Sequence, residues 1–282
     1  MNRLEFLLAA AAAPAALRAP PLSYVTADLE SHVAVVDLAS GRVRRRIATA
    51  AGPRSIERVG DRYVVAHTSV GKVTVLGVDV LDFDEPRYTV GDGRFAYVTD
   101  SGNAQVVAVD VVRARVIGRL TLKQWPRHLT RVGHTLWVAL GTASPEVAVV
   151  DVRDPRRPVL LRYIRPGLAA HDVNAAPSGR LWVTSGDERV VSAHGRRLPS
   201  DAAPQHVTFA RGRAFVTSGD DGTLRIYEER TARLLRTVRV PVGSFNVQHV
   251  AGEIVTPSLN AGTLTVLGGT SAHVARSCHD AA

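Results

Sequence analysis

Cysteine is almost absent from this chain of 282 residues. Its one thiol, Cys278, excludes an intramolecular disulfide, a paired-cysteine zinc site and a c-type haem attachment, which needs two thiols. Lysine is nearly as scarce. Lys72 and Lys123 stand against 33 arginines, so the net charge of +9 reads as codon bias more than as selection for phosphate binding. Beyond the N-terminus no apolar run approaches the roughly 18 residues that a membrane-spanning helix needs. The chain also lacks a Gly-x-Ser-x-Gly nucleophile elbow, a Gly-x-x-x-x-Gly-Lys phosphate loop and a Gly-x-Gly-x-x-Gly fingerprint. No cofactor is therefore called for. What is present, 45% hydrophobic and 22% charged side chains, excludes a disordered or low-complexity chain and suffices for one large core.

The first residues read as an export signal. Arg3 gives a minimal positive start, Leu4 to Ala13 is mostly apolar, and small residues around Ala11 to Ala15 suit a signal-peptidase cut. The expected organisation is a signal peptide over 1–15, with cleavage between 13 and 19. One domain over 16–276 and a short tail over 277–282, containing Cys278-His279-Asp280, follow. An exported, monomeric product is expected.

Internal repetition dominates the remainder. An aromatic or aliphatic residue followed by Val, then Thr, Val or Ala, recurs at Tyr24, Tyr63, Tyr97, Trp137, Trp182, Phe215 and Ile254, 33 to 45 residues apart. Each copy continues through a turn cluster into a Val-rich run ending in Asp, as at Asp37, Asp110 and Asp151. A third short run follows, and a fourth begins near a proline, as at Pro53, Pro126 and Pro204. Four β-branched runs per unit of about 40 residues describe four antiparallel strands, the signature of a propeller blade. The fold class is therefore all-β, a seven-bladed β-propeller of four-stranded antiparallel blades. The recurring Asp residues suit hydrogen bonds to the following turn, because short acidic side chains cap backbone amides two or three residues on.

The Tyr-Val-Thr units, the Val-x-Val-Val-Asp run followed by Gly41, and the Pro-x-His lead-in resemble the YVTN-repeat, YncE-like seven-bladed propellers. The likeness runs from residue 24 to 276, although the fourth motif position departs from Asn (Ala27, Asp100, Ser185, Ser218, Pro257). That resemblance implies an exported binding propeller, with nucleic-acid binding in some relatives and lyase or lactonase activity in neighbouring families.

In a propeller the innermost strand of each blade lines a central channel. Counting nine residues back from the repeat anchor gives Arg54, Tyr88, His128, His206 and Phe245, and the longer fourth connection shifts its counterpart to His171. His249 lies further along the last inner strand, and Asp172, Gln205 and Gln248 accompany the set. Arg54, Tyr88, His128, His171, Asp172, His206 and His249 are the candidate ligand-binding residues. Neutral imidazoles converging on an axis suit a metal, a proton or a polar ligand. The plainer alternative is that Pro-x-His is repeat consensus and each ring hydrogen-bonds its own strand. No catalytic residue is assigned, and whether a metal binds stays open.

The favoured function is an exported binding or scaffold propeller that recognises a small ligand or a protein partner at the channel mouth. A rival is a channel-mouth lyase or lactonase using the histidines. A further rival is nucleic-acid binding by the arginines at 42, 44–46, 153, 156–157 and 196–197. A solvated edge strand accounts for those arginines better, since no aromatic residues interleave them. Too few residues follow Arg276 to build a comfortable strand, so ring closure by both termini in one four-stranded blade is not expected. Residues 14–19 are the alternative inner strand for blade 1.

Overall fold

The computed structural model describes residues 20–141, 144–200 and 202–282, and the N-terminal segment read as an export signal, with the strand expected over 14–19, lies outside them. Among the described residues there is no α-helix, only one 3₁₀ turn at Thr68–Val70. Strands form seven antiparallel sheets in sequence order, as the repeats predict. Blades 1 to 7 occupy 22–48, 55–82, 86–121, 129–164, 172–199, 207–239 and 248–273.

Why these runs become strands follows from where their faces go. The two middle strands of a blade are covered on both sides, as in Gln105–Asp110, of which all but Gln105 is buried. Both faces must then be apolar, which gives the unbroken Val-Val-Ala-Val run instead of strict alternation. Seven separate clusters of buried side chains fill the gaps between neighbouring blades. Tyr97 and Leu136 pack between blades 3 and 4, and Trp182 and Tyr227 between blades 5 and 6. The cluster between blades 1 and 2 has only Val33, Ile56 and Val65 in its buried centre, and stacked rings of Tyr24 and Tyr63, 3.8 Å apart, extend it.

Outer strands are polar edges. Val43–Ala48 carries Arg44, Arg45 and Arg46 to solvent, where charge protects an unpaired edge from pairing with another chain. Arg44 is already tied to Asp37, and Asp37 also accepts the amides of Ala39 and Ser40. Asp110 does the same for Val112 and Arg113. The repeated aspartates thus cap turns, as their spacing suggests.

Ring closure corrects the sequence reading. Residues 278–282 are not a frayed tail. Antiparallel to Leu22–Ala27, they make four backbone hydrogen bonds: Tyr24 and Ala282 exchange two, and Thr26 makes one each with His279 and Asp280. The last residues of the sequence therefore supply the innermost strand of blade 1, and both ends of the described chain share one blade. Five extended residues reach about 17 Å, enough to span an inner strand. Cys278 and Ala281 are fully buried in the cluster between blades 1 and 7, so apolar burial holds what a count of residues had discounted.

Candidate functional site

The backbone decides which residue of each blade faces the axis. In five blades one hydrogen bond recurs at the entrance to the inner strand. Arg54, Arg127, His171, Gln205 and His279 donate their amides to Ala66, Ala139, Thr184, Thr217 and Thr26. The next residue in each case is Ser55, His128, Asp172, His206 or Asp280. These five line a single cavity of about 200 Å³, together with Tyr88 of blade 3 and Asn246 of blade 7. One side chain from each blade thus forms a ring around the channel.

This register refines the spacing argument. Arg54 and His171 stand one residue outside the ring, and Ser55 and Asp172 take their places in it. In blade 2, Ser55 pairs with Ala66 just as Asp172 pairs with Thr184, so Val64 occupies the position of Trp182. Counting back from Tyr63 instead falls one residue short. His249 does not join the others. It is exposed and lines a separate depression with Arg58 and Tyr63, because alternate residues of a strand point to opposite faces and its neighbour Gln248 takes the channel.

The structure does bring His128, His171 and His206 together. Their ring centroids are 4.2 Å (His128 to His206), 5.3 Å (His128 to His171) and 5.4 Å (His171 to His206) apart. The Tyr88 ring lies 3.5 Å from that of His128. One ring nitrogen from each histidine lies within 4.8 Å of the other two. His128 Nδ1 is 2.7 Å from the His171 carbonyl oxygen, which only accepts, so Nδ1 carries the proton. Nε2 of His128 is then a bare lone pair, buried and without a partner among the described residues.

Electrostatics keep these rings neutral. Burial first, then the neighbouring imidazoles and Arg127, hold His128 and His206 well below the usual histidine range. Burial and Arg127 push His171 down to about 3. The carboxyls move the other way, since burial disfavours their charged form. Asp172 is pushed up to about 7 and Asp280 to about 6, although each accepts backbone amides that oppose the shift. Asp172 Oδ2 sits 3.8 Å from His206 Nδ1.

Sequence spacing missed His279, Asp280 and Asn246. His279 Nδ1 donates to the Arg54 carbonyl at 2.8 Å, while Asn246 Nδ2 donates to the His279 carbonyl at 2.7 Å. These residues sit in the closing strand and the last blade entrance, where the repeat count gives no frame. It also missed Arg87 and Arg127, for which a signal exists: Pro53-Arg54, Pro86-Arg87 and Pro126-Arg127 repeat one dipeptide at three successive blade entrances.

No protein-family profile matches the chain, and no curated protein matches it. Solved structures do. Hydrazine synthase of Kuenenia stuttgartiensis is similar at 16% identity and a TM-score of 0.73, over 86% of this chain and 91% of that one. AztD of Citrobacter koseri, in its apo structure, is similar at 11% identity and 0.70, over 93% and 98%. A streptogramin B lyase is similar at 11% identity and 0.65, over 79% and 82%. At these identities the likeness is one of fold: the chain is a seven-bladed β-propeller that shares its shape with proteins of different names and kinds.

Proposed function

We propose that this chain is an exported binding propeller whose channel mouth holds a divalent transition metal ion on His128, His171 and His206 and presents it to a small ligand. The observation that carries this reading is the buried, unpartnered Nε2 of His128 on a ring that shares a cluster, one nitrogen from each within 4.8 Å of the others, with two further neutral histidines. Burying a lone pair without a partner costs roughly 1–3 kcal/mol, and a metal ion removes that cost. Three imidazoles suit zinc, copper, nickel or cobalt, and zinc would bind such nitrogens at about 2.0–2.1 Å. The His171 carbonyl orients the His128 ring from behind, as second partners of metal-bound histidines do. A metal held by these three residues would keep a coordination position for the ligand.

Titration of the purified full chain with zinc or cobalt, followed by calorimetry, tests the reading. One ion per chain is expected to bind, and the triple variant H128A/H171A/H206A to bind none while melting within a few degrees of the parent. Equal binding by that variant, or none by the parent, overturns it. Asp172 beside His206 supports a second reading, lyase or lactonase chemistry at the same mouth, because a carboxyl near 7 suits proton transfer at neutral pH. Turnover of lactone substrates by the metal-loaded chain, lost in D172N, is its mark.

A further inference from the structure

One residue outside the ring of channel side chains, Arg54, Arg87 and Arg127 enter from three successive blades, and His171 continues the arc. We infer that these three arginines form a seat for a small oxyanion, a carboxylate or a phosphate, directly over the three histidines. The inference names the ligand class for the proposed mouth site, and its geometry stands whether or not the histidines take a metal.

Each arginine is anchored through its own backbone. The carbonyls of Arg54, Arg87 and Arg127 accept hydroxyl hydrogens from Thr26, Ser55 and Thr99 of the preceding blade. Two of the guanidinium groups are then held on one plate. The guanidinium carbons of Arg87 and Arg127 lie 4.7 Å and 5.3 Å from the Trp125 ring centroid. Trp125 is itself fixed by its indole N–H, which donates to Glu85.

Donors are left over. Nε of Arg87 and Nε of Arg127 are buried and have no partner among the described residues. Nε with one Nη is the side-on face by which a guanidinium grips an oxyanion through two parallel hydrogen bonds. Charge is also left over. Glu85 pairs with Arg87 and Asp28 lies 3.6 Å from Arg54, while Arg127 has no carboxylate partner among the described residues. Three fixed cations therefore face two carboxylates at their own level, with Asp172 and Asp280 one step further into the channel beside the neutral histidines. Burial and the proximity of Arg127 and Arg54 lower the Arg87 pKa, as expected where like charges are gathered without enough counter-charge. An anion in the seat satisfies the orphaned donors and removes the repulsion together. A metal below it adds further attraction.

Calorimetry of the full chain with malonate and with inorganic phosphate at low ionic strength tests this, once after chelation and once with zinc added. At least one anion is expected to bind the chelated protein, and the tighter of the two identifies the source. R87Q/R127Q is expected to weaken that binding about 30-fold or more, given charge-assisted hydrogen bonds worth roughly 1.5–3 kcal/mol each. R127Q alone, at the arginine without a carboxylate partner among the described residues, is the variant to use if the double one folds poorly, with a loss of about tenfold. Zinc uptake in both variants should match the parent. Anion binding unchanged in R127Q and the double variant, or no binding of either anion by the parent in either state, overturns the inference. Failure of zinc to bind while the chelated protein still takes the anion removes the metal reading and leaves the seat intact.

Discussion

His67 shows how a buried polar residue in this chain is normally satisfied, and so what is unusual at the channel. Fully buried between blades 1 and 2, it donates from Nδ1 to the Ala51 carbonyl and accepts at Nε2 from the Thr74 hydroxyl at 2.9 Å. Both nitrogens are used, whereas Nε2 of His128 is not. Burial pushes the His67 pKa down to about 4. Because the folded value lies below the unfolded one, its neutral form favours folding fully above pH 6.5, and that contribution is lost as pH falls toward 4. H67Q is expected to flatten acid destabilisation in this window by up to roughly 3 kcal/mol, read from urea midpoints at pH 7 and pH 4.5. An unchanged pH slope means that His67 takes up its proton at the same pH in the folded and unfolded chain. Single residues were legible in the sequence where the repeat fixes their frame. His128 and His206 occupy the same step of the blade, and only the channel geometry shows that His171 reaches them from one step outside. Asp280 and His279 were illegible because their roles depend on a strand pairing across nearly the full length of the sequence.

At the scale of the strand, the recurring threonine of the Tyr-Val-Thr unit is an inter-blade latch. Thr26, Thr99, Thr184 and Thr217 each send their hydroxyl to the carbonyl of the residue entering the next blade: Arg54, Arg127, Gln205 and Phe245. The motif thus records contact with a neighbour as well as local strand preference. Strands were readable from the sequence because β-branching and turn residues are local properties, while the target of each hydroxyl belongs to another blade. T99V keeps the shape and removes the bond, leaving a buried carbonyl short of a partner. A loss of about 1–3 kcal/mol is expected, measured by chemical denaturation, with a weaker anion affinity because the Arg127 backbone is released. T99S should restore most of both. Stability in T99V equal to the parent would show that the latch is idle.

For the whole ring, closure is what joins seven similar sheets into one cooperative body. Each of the seven apolar clusters joins two neighbouring sheets, and across the axis only the polar channel side chains meet, so no central apolar core compensates for an open seam. Removing residues 278–282 deletes five backbone hydrogen bonds (four to Leu22–Ala27 and one from Cys278 to Ser258), two fully buried side chains and the Asp280 and His279 contacts in the channel. At roughly 1 kcal/mol for each hydrogen bond, plus the burial, the melting temperature should fall by about 10–20 °C in calorimetry. A fall of only a few degrees would mean that the seam is held by side-chain packing between blades 1 and 7 alone.

The closing strand also sets a clock for synthesis. Leu22–Ala27 emerges early, while its inner partner is made much later, Asp280 following Thr26 by 254 residues. At 5–20 residues per second, the interval is on the order of 10–50 s. During that time blade 1 offers an unpaired strand edge to any other chain nearby. Neither the seven-membered channel ring nor the site it surrounds exists until residue 280 has left the ribosome. Until then the channel ring lacks the side chain that blade 1 contributes.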